Sequence, residues 1–327
     1  MSKTSELRPR KEKRMKKTLK NLRNLRDLFN EQGMAGLDFV SMNIGYDGKA
    51  YFLFSSKIPE RIDGMFVDTA ANAVYTALAV TPSWESGAVE KTERFDLGQH
   101  VMNFRFIRPV PDGSFLLLGA RCMYSKKNGP EKNAVFTDKE GNVLRELTFG
   151  DGIADCIVRK DGIIITSYFD EGVLGNYGWE EPIGSCGVCA WTPDGKIIWR
   201  SERDITDCYA INIDESGNLW YYYYTDFPLV CTDFINETEY DPGAEGADSF
   251  SVAGNGRVLI MNGGYDNEDS FYVSRISGVQ IEEKELLEFV GEDGISVPAR
   301  PIEWGGSKAL VLTRGGDICF ADFSEMQ

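Results

Sequence analysis

The stretch "TDCYAINIDESGNLWYYYY", residues 206–224, reads as strand, tight turn, strand, and a second copy stands at residues 37–54 as "LDFVSMNIGYDGKAYFLF". Laid together, Asp38 meets Asp207, Asn43 meets Asn212, Ile44 meets Ile213 and Gly48 meets Gly217. The same unit recurs from Asn103, Asp155, Asp248 and Ser296, which makes six hairpins with turn glycines Gly48, Gly113, Gly162, Gly217, Gly256 and Gly306. Those glycines are 65, 49, 55, 39 and 50 residues apart. Periods of that size, with period-two strands and glycine turns, exclude helical repeats and point to solenoids or propellers. Two further strands fit after each hairpin, as in "NAVFTDKEGNVLRELTF" (133–149) and "GVCAWTPDGKIIWR" (187–200). Four strands in each of six units predict an all-β, six-bladed β-propeller over residues 34–327.

The aromatic run now has a cause. The second strand of a blade is covered on both faces by the neighbouring blades, so it has no solvent side to keep polar. Trp220, Tyr222 and Tyr224 are expected on one face, Tyr221 and Tyr223 on the other, with each buried ring keeping a hydroxyl for a partner. Residues 1–33 read differently, as a basic amphipathic helix with Met15, Leu19, Leu22, Leu25, Leu28 and Phe29 along one face and Gly33 as the stop. On that assignment the last unit stops after three strands, at "DICFADF".

The chain has 327 residues and a formal net charge of -16. Residues 1–33 hold eleven Lys and Arg against four Asp and Glu, so the remainder is strongly acidic. An acidic body repels phosphate backbones, which excludes nucleic acid and favours cationic, neutral or metal-bridged ligands. The basic leader suits docking on an acidic surface, of a partner or of its own chain. Seven cysteines, an odd number lying mostly in apolar runs, suit buried reduced thiols and hence the cytoplasm. No apolar run is long enough to span a bilayer.

In an antiparallel hairpin the start of the first strand and the end of the second share one edge. First-strand starts Asp38, Asn103, Asp155, Asp207, Asp248 and Ser296 therefore ring one mouth of the channel, and second-strand ends add Arg121, Asp170, Glu171, Asp226 and Arg314. Carboxylates aimed at one axis repel unless a cation or an arginine separates them, and a divalent cation such as calcium suits the oxygens of Asn103, Asp155 and Asp207. The alternative is that each Asp or Asn only accepts from a neighbouring loop amide. The long loop "FDEGVLGNYGWEEPIGS" (169–185) falls on the same face, where Asn176, Tyr177 and Trp179 offer a stacking platform or, equally, a plug.

Other signals lead nowhere further. His100 is the single histidine, and no nucleophile accompanies it to make a triad. Cys186 and Cys189 form a C-x-x-C without the second pair or histidine of a zinc site, and on an extended strand their thiols point to opposite faces.

The hairpins "GIADCIVRKDGIIITSYFDEGV" and "DCYAINIDESGNLWYYYYTDFPLV", with "GNYGW" between them, resemble a family of uncharacterised bacterial propeller proteins over most of residues 100–235. That resemblance implies the six-bladed fold and draws attention to Asp155, Asp170, Glu171, Asn176, Tyr177, Trp179, Asp207 and Asp226. The chain is more loosely similar to gluconolactonase-like, calcium-binding propellers, whose metal is held by a Glu, an Asn and an Asp at inner strand starts. Asn103 and Asp207 match the last two, and no residue matches the Glu. Two functions are therefore expected: a non-enzymatic propeller binding a small molecule or protein at its acidic mouth, or a divalent-metal-dependent, lactonase-like hydrolase with metal-bound water as nucleophile. A third is a scaffold that docks through the leader.

Overall fold

Each hairpin turn pairs an αL glycine with a carboxylate or a second glycine, a combination that closes antiparallel strands at little backbone cost. In the computed structural model, which describes residues 13–62, 65, 66 and 69–326, all six turn glycines have φ between +62° and +89°. Asp47, Asp112, Asp161 and Asp214 accept from the backbone N–H two residues on, at 2.9–3.2 Å.

Six sheets result. Blade 1 comprises Asp38–Ile44, Ala50–Ser55, Ala70–Pro82 and Val89–Met102; blade 2 comprises Phe106–Pro109, Phe115–Leu118, Ala134–Thr137 and Val143–Leu147. Blade 3 comprises Ile153–Val158, Ile164–Tyr168, Val188–Trp191 and Ile197–Arg200; blade 4 comprises Asp207–Ile213, Leu219–Tyr224, Leu229–Thr232 and Glu237–Tyr240. Blade 5 comprises Phe250–Ala253, Val258–Asn262, Phe271–Ser277 and Gln280–Val290; blade 6 begins Ile302–Gly305, Lys308–Leu312 and Asp317–Asp322. The first strand of each blade touches its counterparts in both neighbours, and blade 6 returns to blade 1 to close the ring. The chain is a mainly-β six-bladed propeller.

The aromatic run behaves as its position demands. Tyr221 and Tyr223 pack with Ile165 and Val188 of blade 3, while Trp220 and Tyr222 pack with Phe250 and Leu259 of blade 5. Only Tyr224, at the rim, is exposed, at 42%. Blade 2 alternates in the same way, with Phe115 and Leu117 facing blade 1 and Leu116 and Leu118 facing blade 3.

The leader is where expectation and structure part. The helix is confined to Leu25–Glu31, with Asn24 Oδ1 accepting from the Arg26 N–H at 3.0 Å as its N-cap. Lys20–Asn24 instead pairs antiparallel with Asp317–Asp322 as the fourth strand of blade 6, and Arg14–Thr18 pairs parallel with Gln280–Val290 as a fifth strand of blade 5. The helix propensity of this Lys-, Arg- and Leu-rich segment loses here to two open sheet edges, whose unpaired N–H and C=O groups offer a ladder of hydrogen bonds. Opposite charge supports the pairing: Lys13, Lys16 and Lys20 lie 3.4, 3.7 and 3.5 Å from Glu285, Glu288 and Glu292. The acidic surface on which this part of the leader docks thus belongs to its own chain. Residues 1–12 and the Leu22 side chain lie outside the described residues. Among the described residues no helix is long and apolar enough to cross a membrane.

Leu19, between the two leader strands, is 1% exposed and sits in the wedge between blades 5 and 6 with Val258, Leu287 and Phe323. Leu19→Ala is expected to cost about 2–5 kcal/mol, the range for a buried leucine truncation. Lys16→Ala, which breaks a solvent-exposed ion pair, is expected to cost at most about 1 kcal/mol. Chemical denaturation measures both, and equal small effects would contradict strand closure by the leader.

Candidate functional site

The innermost strands leave an axial channel, and the residues at its waist are charged. Arg108 donates through Nη2 to Asp155 Oδ1 at 2.9 Å, through Nη1 to the Ile107 carbonyl at 3.1 Å, and through Nε to the Cys156 carbonyl. Arg105 donates to the Val40 carbonyl at 2.8 Å. Glu303, from blade 6, completes a set of two cations and two carboxylates. Burial pushes the Glu303 carboxyl up to about 7, and the neighbouring Asp155 adds to the rise against the pull of Arg108 and Arg105. Asp155 is raised as well, burial outweighing Arg108, although about a third of its side chain (32%) still faces channel space.

Two cavities meet at this waist, sharing Arg108, Asp155, Glu303 and Trp304. On the face carrying the hairpin turns the cavity measures about 530 Å³. There Asn43 and Asn212, equivalent positions of the repeat, tie blades together: Asn43 Nδ2 donates to the Ile107 carbonyl of blade 2 at 2.8 Å, and Asn212 Nδ2 to the Phe250 carbonyl of blade 5 at 3.1 Å and the Gly306 carbonyl of blade 6 at 3.0 Å. On the opposite face, the expected mouth, the cavity is smaller, about 190 Å³, and Ser41, Arg105, Tyr209 and Asp248 line it.

Around that mouth the predicted residues divide. Asp38 and Asp207 begin the inner strands of blades 1 and 4, as expected. Asp170 follows the second strand of blade 3, and Asp226 follows that of blade 4 with φ +62°. None of the described ion pairs involves Asp38, Asp170, Asp207 or Asp226. Burial, and then the charge of Asp170, push the Asp207 carboxyl up to about 6. Asp248 is different, because Arg300 holds both its oxygens at 2.7 Å. Asn103 and Ser296 do not begin strands: blade 2 starts at Phe106 and blade 6 at Ile302. The prolines at 298 and 301 remove ladder donors before blade 6, so Ser296 only bridges Val290. Asn103 donates its N–H to the Thr69 carbonyl at 2.8 Å instead, and neither cavity is lined by it.

The 169–185 loop is held in place. Arg121, 7% exposed, grips Asp151 through Nε and Nη2 at 3.0 Å each, reaches Glu171 at 2.5 Å and lies 4.3 Å over the Tyr177 ring. Trp179 Nε1 donates to the Cys122 carbonyl at 2.7 Å, and the Asn176 side chain accepts from the Tyr177 N–H. Glu171, Tyr177 and Trp179 thereby anchor the loop to blade 2 as a fixed wall, while the Asn176 bond stays within the loop.

Beside Asp207 stands an aromatic wall. Tyr209 is the extra residue of a β-bulge between Cys208 and Ala210, a device that re-aims a side chain. Its hydroxyl lies 2.5 Å from that of Tyr265, and Phe227 packs 5.9 Å from both rings and 5.4 Å from Tyr224. Tyr265 is 63% exposed.

The donor chemistry suits internal arginines better than a metal. Asp155 already receives the Arg108 guanidinium and the Cys156 N–H at 2.6 Å, and Asn103 lies outside the lining. Among the described residues no three His, Cys, Asp or Glu side chains converge to hold a metal ion. His100 lies in the outermost strand of blade 1, where Nε2 is 2.8 Å from the Leu97 carbonyl and the ring packs on Phe104.

No protein-family model and no curated protein matches the chain. Among solved structures it is similar to virginiamycin B lyase from Staphylococcus aureus, at 13% identity with 95% of this chain and 89% of that one covered and a TM-score of 0.43. It is similar to YCF48 bound to D1 peptide at 11% identity, with 88% and 94% covered and a TM-score of 0.44. A protein of unknown function from Bacteroides caccae is similar at 11% identity, with 72% and 82% covered and a TM-score of 0.38. These likenesses assign no family and no activity, and the propeller rests on its own six sheets.

Two expectations follow from the charges. Because folding raises the Glu303 carboxyl, its contribution to stability is complete below the unfolded range near ~4.3 and is lost as pH rises through about 7. Glu303→Gln should therefore gain on the wild type as pH is raised from 5 to 8, read as the difference between their denaturation midpoints, and parallel profiles would contradict a buried carboxyl. Arg121→Ala strands the Asp151 carboxylate, 3% exposed as a residue, and is expected to cost about 3–5 kcal/mol in unfolding free energy. A loss under 1 kcal/mol would show that the anchor is not buried.

Proposed function

We propose that the chain is a non-enzymatic binding propeller whose mouth takes a cationic segment of a peptide or protein. The observation carrying this reading is the juxtaposition of carboxylates without ion pairs, Asp170 and Asp207 foremost, with the exposed Tyr265 and Tyr224 rings around Phe227. Two neighbouring carboxylates gain from a guanidinium or ammonium set between them, and aromatic faces attract the same cations. The anchored 169–185 loop supplies a rigid wall, which lowers the ordering cost of binding. Metal-dependent hydrolysis lacks comparable support, since Asp155 is engaged by Arg108 and nothing places Asn103 in the channel. The resemblance to uncharacterised bacterial propellers is compatible with a binding role and adds no substrate.

Fluorescence anisotropy with labelled peptides tests the reading. A peptide alternating Arg and Gly is expected to bind, and one of equal length alternating Glu and Gly is not. Asp207→Asn should weaken the Arg peptide roughly fivefold, the effect of about 1 kcal/mol from one partly exposed charge pair. Affinity should also fall as pH drops through about 6, where Asp207 gains its proton. Indifference to peptide charge would refute a cation-binding mouth.

A further inference from the structure

Cys186 and Cys189 are not turned apart. Cys186 lies in the turn before blade 3's third strand, and Gly187, with φ +73°, swings it back over that strand. The two sulfurs are 3.0 Å apart, closer than two unbonded sulfurs ordinarily rest and within reach of the bond length of about 2.05 Å by a small movement. The two thiols differ in setting. Cys189 is 0% exposed in the wedge between blades 2 and 3, against Trp191 and Tyr168. Cys186 is half-buried and opens on a cleft of about 1080 Å³ between the outer edges of blades 3 and 4, lined also by Trp199, Arg200, Arg203, Phe234 and Glu237. Arg200 is the cross-strand partner of Cys189 and donates toward the Ile183 carbonyl at 3.4 Å. Arg203 is neutralised by Glu237 and Glu239 at 2.8 and 2.5 Å, which leaves Arg200 as the cation acting on the pair.

We propose that Cys186 and Cys189 form a thiol–disulfide exchange site on the outer rim of the propeller, separate from the channel, with Cys186 as attacking thiolate and Cys189 as resolving thiol. A low-molecular-weight or protein disulfide, RS–SR, enters the cleft. The Cys186 thiolate attacks one sulfur, a Cys186–SR bond forms, and the RS–SR bond breaks to release RS⁻, which takes a proton from water. Cys189 then attacks the Cys186 sulfur; the Cys186–SR bond breaks, and the second RS⁻ takes the Cys189 proton as it leaves. Two electrons pass from the dithiol to RS–SR, which becomes two RSH.

The thiol environments divide the work in that order. The hydrogen bond from Cys189, and then Arg200, bring Cys186 down to about 7, whereas burial holds Cys156, Cys231 and Cys319 above the ordinary thiol range. A thiol titrating near ambient pH is the best placed to attack.

The experiment uses the full chain treated with oxidised glutathione, followed by alkylation of remaining thiols and peptide mass analysis. In the wild type the peptide holding both cysteines is expected to lose two hydrogens while the other five thiols stay alkylatable, with a rate that rises through pH 7. Cys189→Ser should trap one glutathionyl group on Cys186, and Cys186→Ser, a change at a half-buried position, should abolish the reaction. Reaction spread over all seven thiols, or a Cys186→Ser variant oxidised as fast as wild type, overturns the site. A wild-type mixed disulfide on Cys186 that never resolves overturns the role of Cys189.

Discussion

The ladder between Lys20–Asn24 and Asp317–Asp322 is the contact on which the rest of the molecule depends. A propeller has no side wall of its own: each sheet is buried only because another stands on either side, and the sixth must return to the first. Blade 6 draws three strands from the end of the described chain and its fourth from near the beginning, so the ring is fastened by hydrogen bonds spanning nearly the whole sequence. Leu19 and Leu25, on either side of that strand, enter the wedges toward blade 5 and blade 1. The same segment thus supplies backbone pairing to one sheet and apolar contact to two interfaces.

A fastened ring has a fixed axis, and the chemistry of the axis follows. Inner strands have one edge without a backbone partner, and charges buried beside that edge are in conflict with their surroundings unless opposite charges pair. Arg105, Arg108, Asp155 and Glu303 resolve the conflict by neutralising each other. Beyond the waist, toward the loop face, that balance ends. Asp38, Asp170, Asp207 and Asp226 lie on the loop face in no ion pair among the described residues, beside the aromatic wall that the bulge at Tyr209 turns toward the opening. On the proposed reading, this acidic face is the one that takes cations.

Most of the blade architecture was legible because it rests on local signals. Glycine at each turn and uninterrupted apolar second strands follow from hairpin geometry and two-sided burial, and Tyr221 and Trp220 face opposite neighbours as that logic requires. The leader reads as a helix because its apolar residues recur every three or four positions, and what overrides that local pattern is an open sheet edge some 300 residues away. At the site, Asp207 and Asp170 were legible from strand ends. Arg105 and Arg108 were overlooked, although two arginines inside the apolar run "NFRFIRPV" signal side chains aimed at the axis. Glu303 carried no such signal, because "RPIEWGG" gives no clue to which face the carboxyl takes. The proximity of Cys186 and Cys189 was hidden by treating the segment as one extended strand, when Gly187 breaks it.

Native-state amide hydrogen exchange over residues 20–24 tests most directly whether the leader closes the ring. If it does, those amides that donate into the ladder exchange only with global unfolding, at the same free energy as their partners in Asp317–Asp322. Exchange at the rate of an exposed loop, with blade 6 still protected, would mean that the sixth sheet stands with three strands and that the channel is built without the leader.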